Sequence, residues 1–260
     1  MLRLAANIST LFTEVPFLDR VARAAQAGFA AVECQFPYDA PAEALRARLT
    51  DEGVQLVLHN LPPGDWAAGD RGLACRPLRV DEFRASVQRG IEYASALGCA
   101  QLNCLAGLLP TDTSPEAARD TLVSNLAYAA DQAATAGLRL LIEPINTRDM
   151  PGYVLNHTRE ARALIRDVGA SNLFLQYDCY HMQIMEGDLA RTIETHLDLI
   201  RHIQIADPPL RSEPGTGEIN FAFLFDHLDR LGYDGWIGAE YRPLGRTEDG
   251  LGWIGRSVWR

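Results

Sequence analysis

A chain of 260 residues, 47% hydrophobic and 22% charged, can bury one large core and is too apolar for wholesale disorder. Its 24 basic residues face 34 acidic ones, a formal charge of −10, which argues against nucleic acid or an anionic membrane as partner, because phosphate binding needs a positive surface. Every basic residue is arginine, and without lysine the Schiff-base enzymes and the standard phosphate-binding loop are excluded.

The opening MLRLAANIST has no apolar signal run, and no stretch approaches the roughly 18 apolar residues of a membrane helix. The five cysteines (Cys34, Cys75, Cys99, Cys104 and Cys179) form no Cys-x-x-Cys pair, so a disulfide scaffold or thiolate zinc site is not expected and a reducing cytoplasm fits. Further along, one pattern recurs. An Ala/Leu/Arg-rich helical stretch such as FLDRVARAAQA or LVSNLAYAADQAATA meets a glycine, and a short apolar run follows. The glycines, Gly28, Gly53, Gly98, Gly137, Gly169 and Gly232, are expected helix caps.

The apolar runs are too short for helices and predict eight strands, in chain order near Leu2–Asn7, Ala31–Glu33, Gln55–His59, Gln101–Asn103, Arg139–Glu143, Leu173–Asp178, His202–Gln204 and Trp236–Glu240. Helical segments separate them, the last near Thr247–Trp259. This alternation predicts an α/β fold, a single (β/α)8 TIM barrel over residues 1–260. A doubly wound open sheet is the alternative, and it is disfavoured because Asn7-Ile8-Ser9-Thr10 offers no Gly-x-Gly-x-x-Gly turn.

Each predicted strand ends in a polar residue: Asn7, Glu33, His59, Asn103, Glu143, Asp178, Gln204 and Glu240. In a barrel those positions meet at the catalytic mouth. For Asn7 and Asn103 the competing reading is simple satisfaction of loop backbone. Three carboxylates facing one cavity repel unless neutralised, and no lysine is available. A divalent cation held by Glu143, Asp178, Gln204 and Glu240 is the economical solution, and oxygen ligands suit Mg²⁺ or Mn²⁺. Pairing with loop arginines such as Arg148, Arg211 and Arg242 is the competing reading, disfavoured because Glu143 and Glu240 close otherwise apolar strands (LRLLIE, WIGAE).

Of the histidines, His181 and, less strongly, His59 are candidates for substrate contact, while His196, His202 and His227 read as structural and His157 is expected near a helix N-terminus. Two long loops, Asn60–Leu78 and Asp207–Asn220, are candidate lids and bring Arg71 and Arg211. Gly215-x-Gly217 within the second is read as a turn.

The segments RLAANISTLFTEVPFLDR, HNLPPGDWAAGDRGLAC, IEPIN, QYDCYHMQIMEG, HIQIADPP, EPGTGEIN and GWIGAEY run in order across nearly the whole chain, which resembles the hydroxypyruvate isomerases of the xylose-isomerase-like TIM-barrel superfamily. The resemblance implies conversion of hydroxypyruvate to tartronate semialdehyde (2-hydroxy-3-oxopropanoate), one divalent metal on the same four residues, and Glu143 and Glu240 as the acid/base pair. A proton route through an enediolate is expected, with Arg71 or Arg211 holding the substrate carboxylate. Related sugar 3-epimerases commonly carry histidine where this chain has Gln204, which counts against ketose 3-epimerase activity, the resemblance's other alternative. A sister group acts on 2-oxotetronate, and LFTEVPF also looks like that group, whereas GDWAAGDRG and IEPIN favour the hydroxypyruvate branch. Zinc endonucleases of the superfamily would need histidine-rich clusters and a basic face. A non-catalytic oxoacid-binding barrel would not need two glutamates around a metal. The expected partner is a small oxo acid, and assembly as a homo-oligomer is left open.

Overall fold

A computed structural model describes residues 2–257. The elements are β1 (Arg3–Asn7), α1 (Arg20–Gln26), β2 (Ala31–Cys34), α2 (Ala42–Glu52), β3 (Gln55–Asn60), α3 (Val80–Leu97), β4 (Gln101–Asn103), α4 (Pro115–Thr135), β5 (Arg139–Ile142), α5 (Thr158–Val168), β6 (Leu173–Asp178), α6 (Cys179–Met185), α7 (Leu189–His196), β7 (Ile200–Ile205), α8 (Phe221–Arg230), β8 (Trp236–Ala239) and α9 (Ile254–Ser257). The eight strands pair in parallel and in chain order, and β8 closes on β1 with Arg3 opposite Trp236. This is the expected TIM barrel.

Local chemistry sets the helix ends. Ser114 caps α4 by accepting the Ala117 N–H at 3.2 Å, and Pro115 fills the first position, where a missing N–H costs nothing. In α3 the buried residues Phe83, Ser86, Val87, Gly90 and Ala94 fall on one helical face. Gly98 then ends the helix at φ 66°, where any side chain would be strained. All six glycines expected as caps have positive φ.

The boundaries differ from expectation by a residue or two. β5 and β8 stop at Ile142 and Ala239, so Glu143 and Glu240 stand one residue past the assigned strands, although the Glu240 N–H still donates to the Ile205 carbonyl of β7 at 3.1 Å. β7 begins at Ile200, which puts His202 inside the barrel wall rather than at its start. The last segment is a 3-10 turn, Thr247–Trp253, followed by α9, and the rest of the expected helix lies outside the described residues. Among the described residues no helix is long and apolar enough to cross a membrane.

The helix-facing side of the sheet is apolar, but much of the barrel interior is polar. Glu33, Gln101, Asn103, Gln176, His202 and Gln204 are all buried. Register shifts fall next to two of these, between Val32 and Glu33 and between Leu175 and Gln176. Such irregularities re-aim side chains at barrel rims and near sites.

Candidate metal centre and active site

The apolar run RLLI of β5 ends at Glu143, which points into a cavity at the carboxyl ends of the strands. Asn103 on β4 donates to Glu143 Oε2 at 3.0 Å. Asp178 closes β6 and caps α6, its Oδ1 accepting the Tyr180 N–H at 2.8 Å. Its Oδ2 lies 3.4 Å from His181 Nε2. One turn of α6 brings His181 to the same mouth, with Nε2 3.9 Å from Glu143 Oε1. The backbone N–H of Asn146 donates to His181 Nδ1 at 3.4 Å, and the Asn146 side-chain nitrogen lies 2.6 Å from the same atom. Nδ1 thus accepts, and Nε2 carries the hydrogen toward the carboxylates. Burial, then the nearby Arg211, pulls the His181 pKa well below its ordinary value, so the ring is neutral.

Glu240, just past β8, completes the group. Its Oε1 accepts from Asn7 at 3.1 Å and Gln35 at 2.9 Å, and its Oε2 accepts from Arg211 at 2.6 Å. Arg211 also lies 3.5 Å from Asp178 Oδ2. This corrects the sequence reading, which disfavoured an arginine pairing. The backbone of Arg211 sits at φ 56°, a region a bulky residue rarely enters, and such strain concentrates at functional sites. Its loop is fixed by Asp207, whose carboxylate accepts the N–H groups of Gly215, Gly217 and Ile219. Gly217 belongs to this turn, since a Cβ there would lie 1.9 Å from the Pro208 carbonyl oxygen.

Gln204 on β7 borders the same cavity. Its Oε1 accepts from Gln176 Nε2 at 2.7 Å and keeps a second lone pair, while its Nε2 donates to Glu33 at 2.7 Å.

Two expected substrate contacts are not brought to the cavity. His59 packs outward against Tyr93 of α3, ring centroids 5.7 Å apart, with Nδ1 3.2 Å from the Tyr38 hydroxyl. Burial lowers its pKa to about 4 and leaves it neutral. Its neighbour Asn60 lines the cavity instead. Arg71 stacks 4.0 Å over Trp66 and donates to the carbonyls of Trp66 and Asp70. It is Trp66 that reaches the cavity, beside Phe36. The sequence reading also misses Gln35 and Gln176. Each stands two residues from a named inward residue, Glu33 or Asp178, so strand alternation was the available signal.

The donor set fits a hard divalent cation. Carboxylate oxygens of Glu143 and Asp178 lie within 4.8 Å of each other, with the His181 ring beside them as a hydrogen-bond donor. Burial, followed by the charges of Glu240 and Asp178, pushes Glu143 well above the usual carboxylate range. Burial raises Asp178 to about 7 and raises Glu240 as well. One guanidinium cannot balance three buried carboxylates, and a dication can.

A xylose isomerase-like TIM barrel family model matches residues 21–257. A hydroxypyruvate isomerase of Escherichia coli K12 is 52% identical over 98% of each chain. So is a 2-oxo-tetronate isomerase of Cupriavidus necator, also at 52% over 98% of each. The chain belongs to the hydroxypyruvate isomerase/2-oxo-tetronate isomerase family. By that membership it is an isomerase. A solved structure described as an AP endonuclease of family 2 from Brucella melitensis superposes with a TM-score of 0.96 at 47% identity, covering 98% of each chain.

For this family member the raised carboxylates set a pH dependence. Between the ordinary carboxylate pKa and about 7, the folded protein without metal holds more protons at Asp178 than the unfolded chain does. Its stability therefore falls as pH rises through that window, and the penalty is complete above it. A cation needs the ligands deprotonated, so it relieves the penalty where the penalty is largest. Mn²⁺ is expected to raise the melting temperature several degrees more at about pH 8 than at about pH 5.5. Scanning calorimetry with and without metal checks this, and an equal shift at both pH values would contradict it.

Proposed function

We propose that the chain interconverts hydroxypyruvate and tartronate semialdehyde by moving a proton between C3 and C2. The same shift on 2-oxotetronate, which carries a hydroxymethyl group in place of one C3 hydrogen, is the second reading, because the two relatives quoted are equally similar. The observation that carries the proposal is two glutamates, Glu143 and Glu240, facing one small cavity that holds a neutral histidine and an arginine. The cavity is small, about 50 Å³, with Arg211 folded between the carboxylates. A bound oxo acid takes the place of that guanidinium contact, and Arg211 turns to the substrate carboxylate as the charged donor lining the site.

Glu143, Asp178, Gln204 and Glu240 would hold a single Mg²⁺ or Mn²⁺, which supplies positive charge for the oxygens on C2 and C3. The chain's own groups do the rest. Glu143 receives one amide hydrogen bond, from Asn103, whereas Glu240 receives three, from Asn7, Gln35 and Arg211. Fewer donors leave Glu143 the stronger base, so it removes the C3 proton. The enediolate regains a proton at C2 from the pair. The proton lost from the C3 hydroxyl is returned to the C2 oxygen through the same carboxylates, and His181 Nε2–H steadies the oxygen charge. Substrate and product are isomers, so no co-reactant is consumed.

Steady-state kinetics test the assignment. kcat/KM on hydroxypyruvate or 2-oxotetronate is expected to exceed that on free ketoses by about a hundredfold or more, the scale of leaving a buried charge without its partner. Preference for an uncharged ketose would overturn it.

A further inference from the structure

The barrel interior holds a carboxyl group with no part in this chemistry. Glu33 is fully buried. Its Oε1 accepts from Gln204 Nε2 at 2.7 Å and from Asn7 Nδ2 at 2.9 Å. Its Oε2 lies 2.5 Å from His202 Nε2. On the far side of that ring, His202 Nδ1 faces Gln101 Nε2 at 3.4 Å. An amide N–H only donates, so Nδ1 accepts and Nε2 carries the hydrogen directed at Glu33. Glu33 thus accepts at both oxygens from three donors. β8 makes the space for it, since a Cβ at Gly238 would lie 2.1 Å from Glu33 Oε2. A buried pair of ionisable side chains is costly next to an apolar filling, so its place here calls for a reason.

We infer that Glu33 is a positioning residue that fixes which end of the Gln204 amide faces the carboxylate cluster. The inference rests on reading that cluster as a metal site. The oxygen and nitrogen ends of a carboxamide are nearly identical in shape, but only the oxygen can ligate a cation. A group that accepts at both oxygens selects the NH₂ end for itself. Gln176 Nε2 donates to Gln204 Oε1, which agrees with the same choice from the other side. Asn7 carries the polarity onward, because its Nδ2 also donates to Glu240 Oε1 at 3.1 Å. His202 holds Glu33 from below, so two ligand candidates, on β7 and beside β8, take their orientation from one buried pair. Outer partners of this kind orient metal ligands.

The test is Mn²⁺ affinity, read by calorimetric titration and by electron paramagnetic resonance of free Mn²⁺, with no activity measurement. Glu33→Gln preserves shape but removes the forced polarity, and the dissociation constant is expected to rise about 10- to 100-fold. Gln204→Glu alone sets two carboxyl groups against each other and is expected to weaken binding similarly. The exchange variant Glu33→Gln/Gln204→Glu again sets a donor against an acceptor with an oxygen facing the cluster. It is expected to bind at least about tenfold more tightly than the weaker single variant. Unchanged affinity in folded Glu33→Gln, or an exchange variant no better than the single variants, would overturn the inference. If Glu33→Gln does not fold, the comparison of Gln204→Glu with the exchange variant decides in the same way. Absence of Mn²⁺ binding by the unaltered protein is a separate result, which removes the metal reading itself.

Discussion

Exhaustive removal of divalent cations will abolish turnover while the barrel stays folded, and added Mn²⁺ or Mg²⁺ will restore activity. The two halves of this expectation have different physical origins. Turnover depends on charge: burial raises Glu143, Asp178 and Glu240 together, and without a dication the enediolate oxygens would develop negative charge beside that cluster. The fold depends on area. The closed eight-strand sheet and its covering helices bury a continuous apolar shell that includes Leu102, Leu126, Ile203 and Phe225. Each such side chain contributes about 1.5–3 kcal/mol by its burial, so the shell does not need a metal to form. Far-ultraviolet circular dichroism and a melting curve on the stripped protein, run beside the assay, separate the halves. Full activity in metal-free protein would remove the metal from the mechanism.

Glu143, Asp178 and Glu240 were legible because a carboxylate closing an apolar run has few places to go in a barrel except the mouth. His59 shows where that rule stops. It too stands near a strand end, but a strand end gives a depth and not a side. The pleat turns it toward Tyr93 and leaves Asn60 facing the cavity. Arg71 is turned elsewhere for another reason: its direction is set by a neighbour, Trp66, whose ring it covers. Gln35 and Gln176 were within reach of period-two counting from Glu33 and Asp178. The Glu33–His202 pair was not, because the two residues are 169 positions apart and meet only when the barrel closes. Arg211 was legible as a loop arginine, but its place between Asp178 and Glu240 depends on a left-handed backbone that nothing in Pro-Leu-Arg-Ser announces.

Glu143→Gln and Glu240→Gln will each lower kcat by at least about a hundredfold, the scale of acid–base catalysis by a positioned carboxylate. The larger loss belongs to Glu143, because Glu240 is tied by three donors and Glu143 by one. Each substitution also removes a charge from the cluster and weakens metal binding, so kcat must be taken at saturating metal. The route of the hydrogen then distinguishes base catalysis from hydride transfer. A hydride shift between C3 and C2 calls for strong electrophilic help at both oxygens, usually a second cation or a lysine. The sequence holds no lysine, and the carboxylates at this mouth suit one ion. Two glutamates facing one cavity can instead take a proton from C3 and return one to C2. In D₂O the product is therefore expected to carry deuterium at C2, and recovered substrate to gain it at C3. Glu143→Gln should slow the exchange at C3 in step with turnover, since loss of that proton begins both. Mass spectrometry of product and recovered substrate reads both positions. Retention of all the original hydrogen, measured where the abstracted proton has time to exchange with solvent, would mean hydride transfer and would end the base role of Glu143.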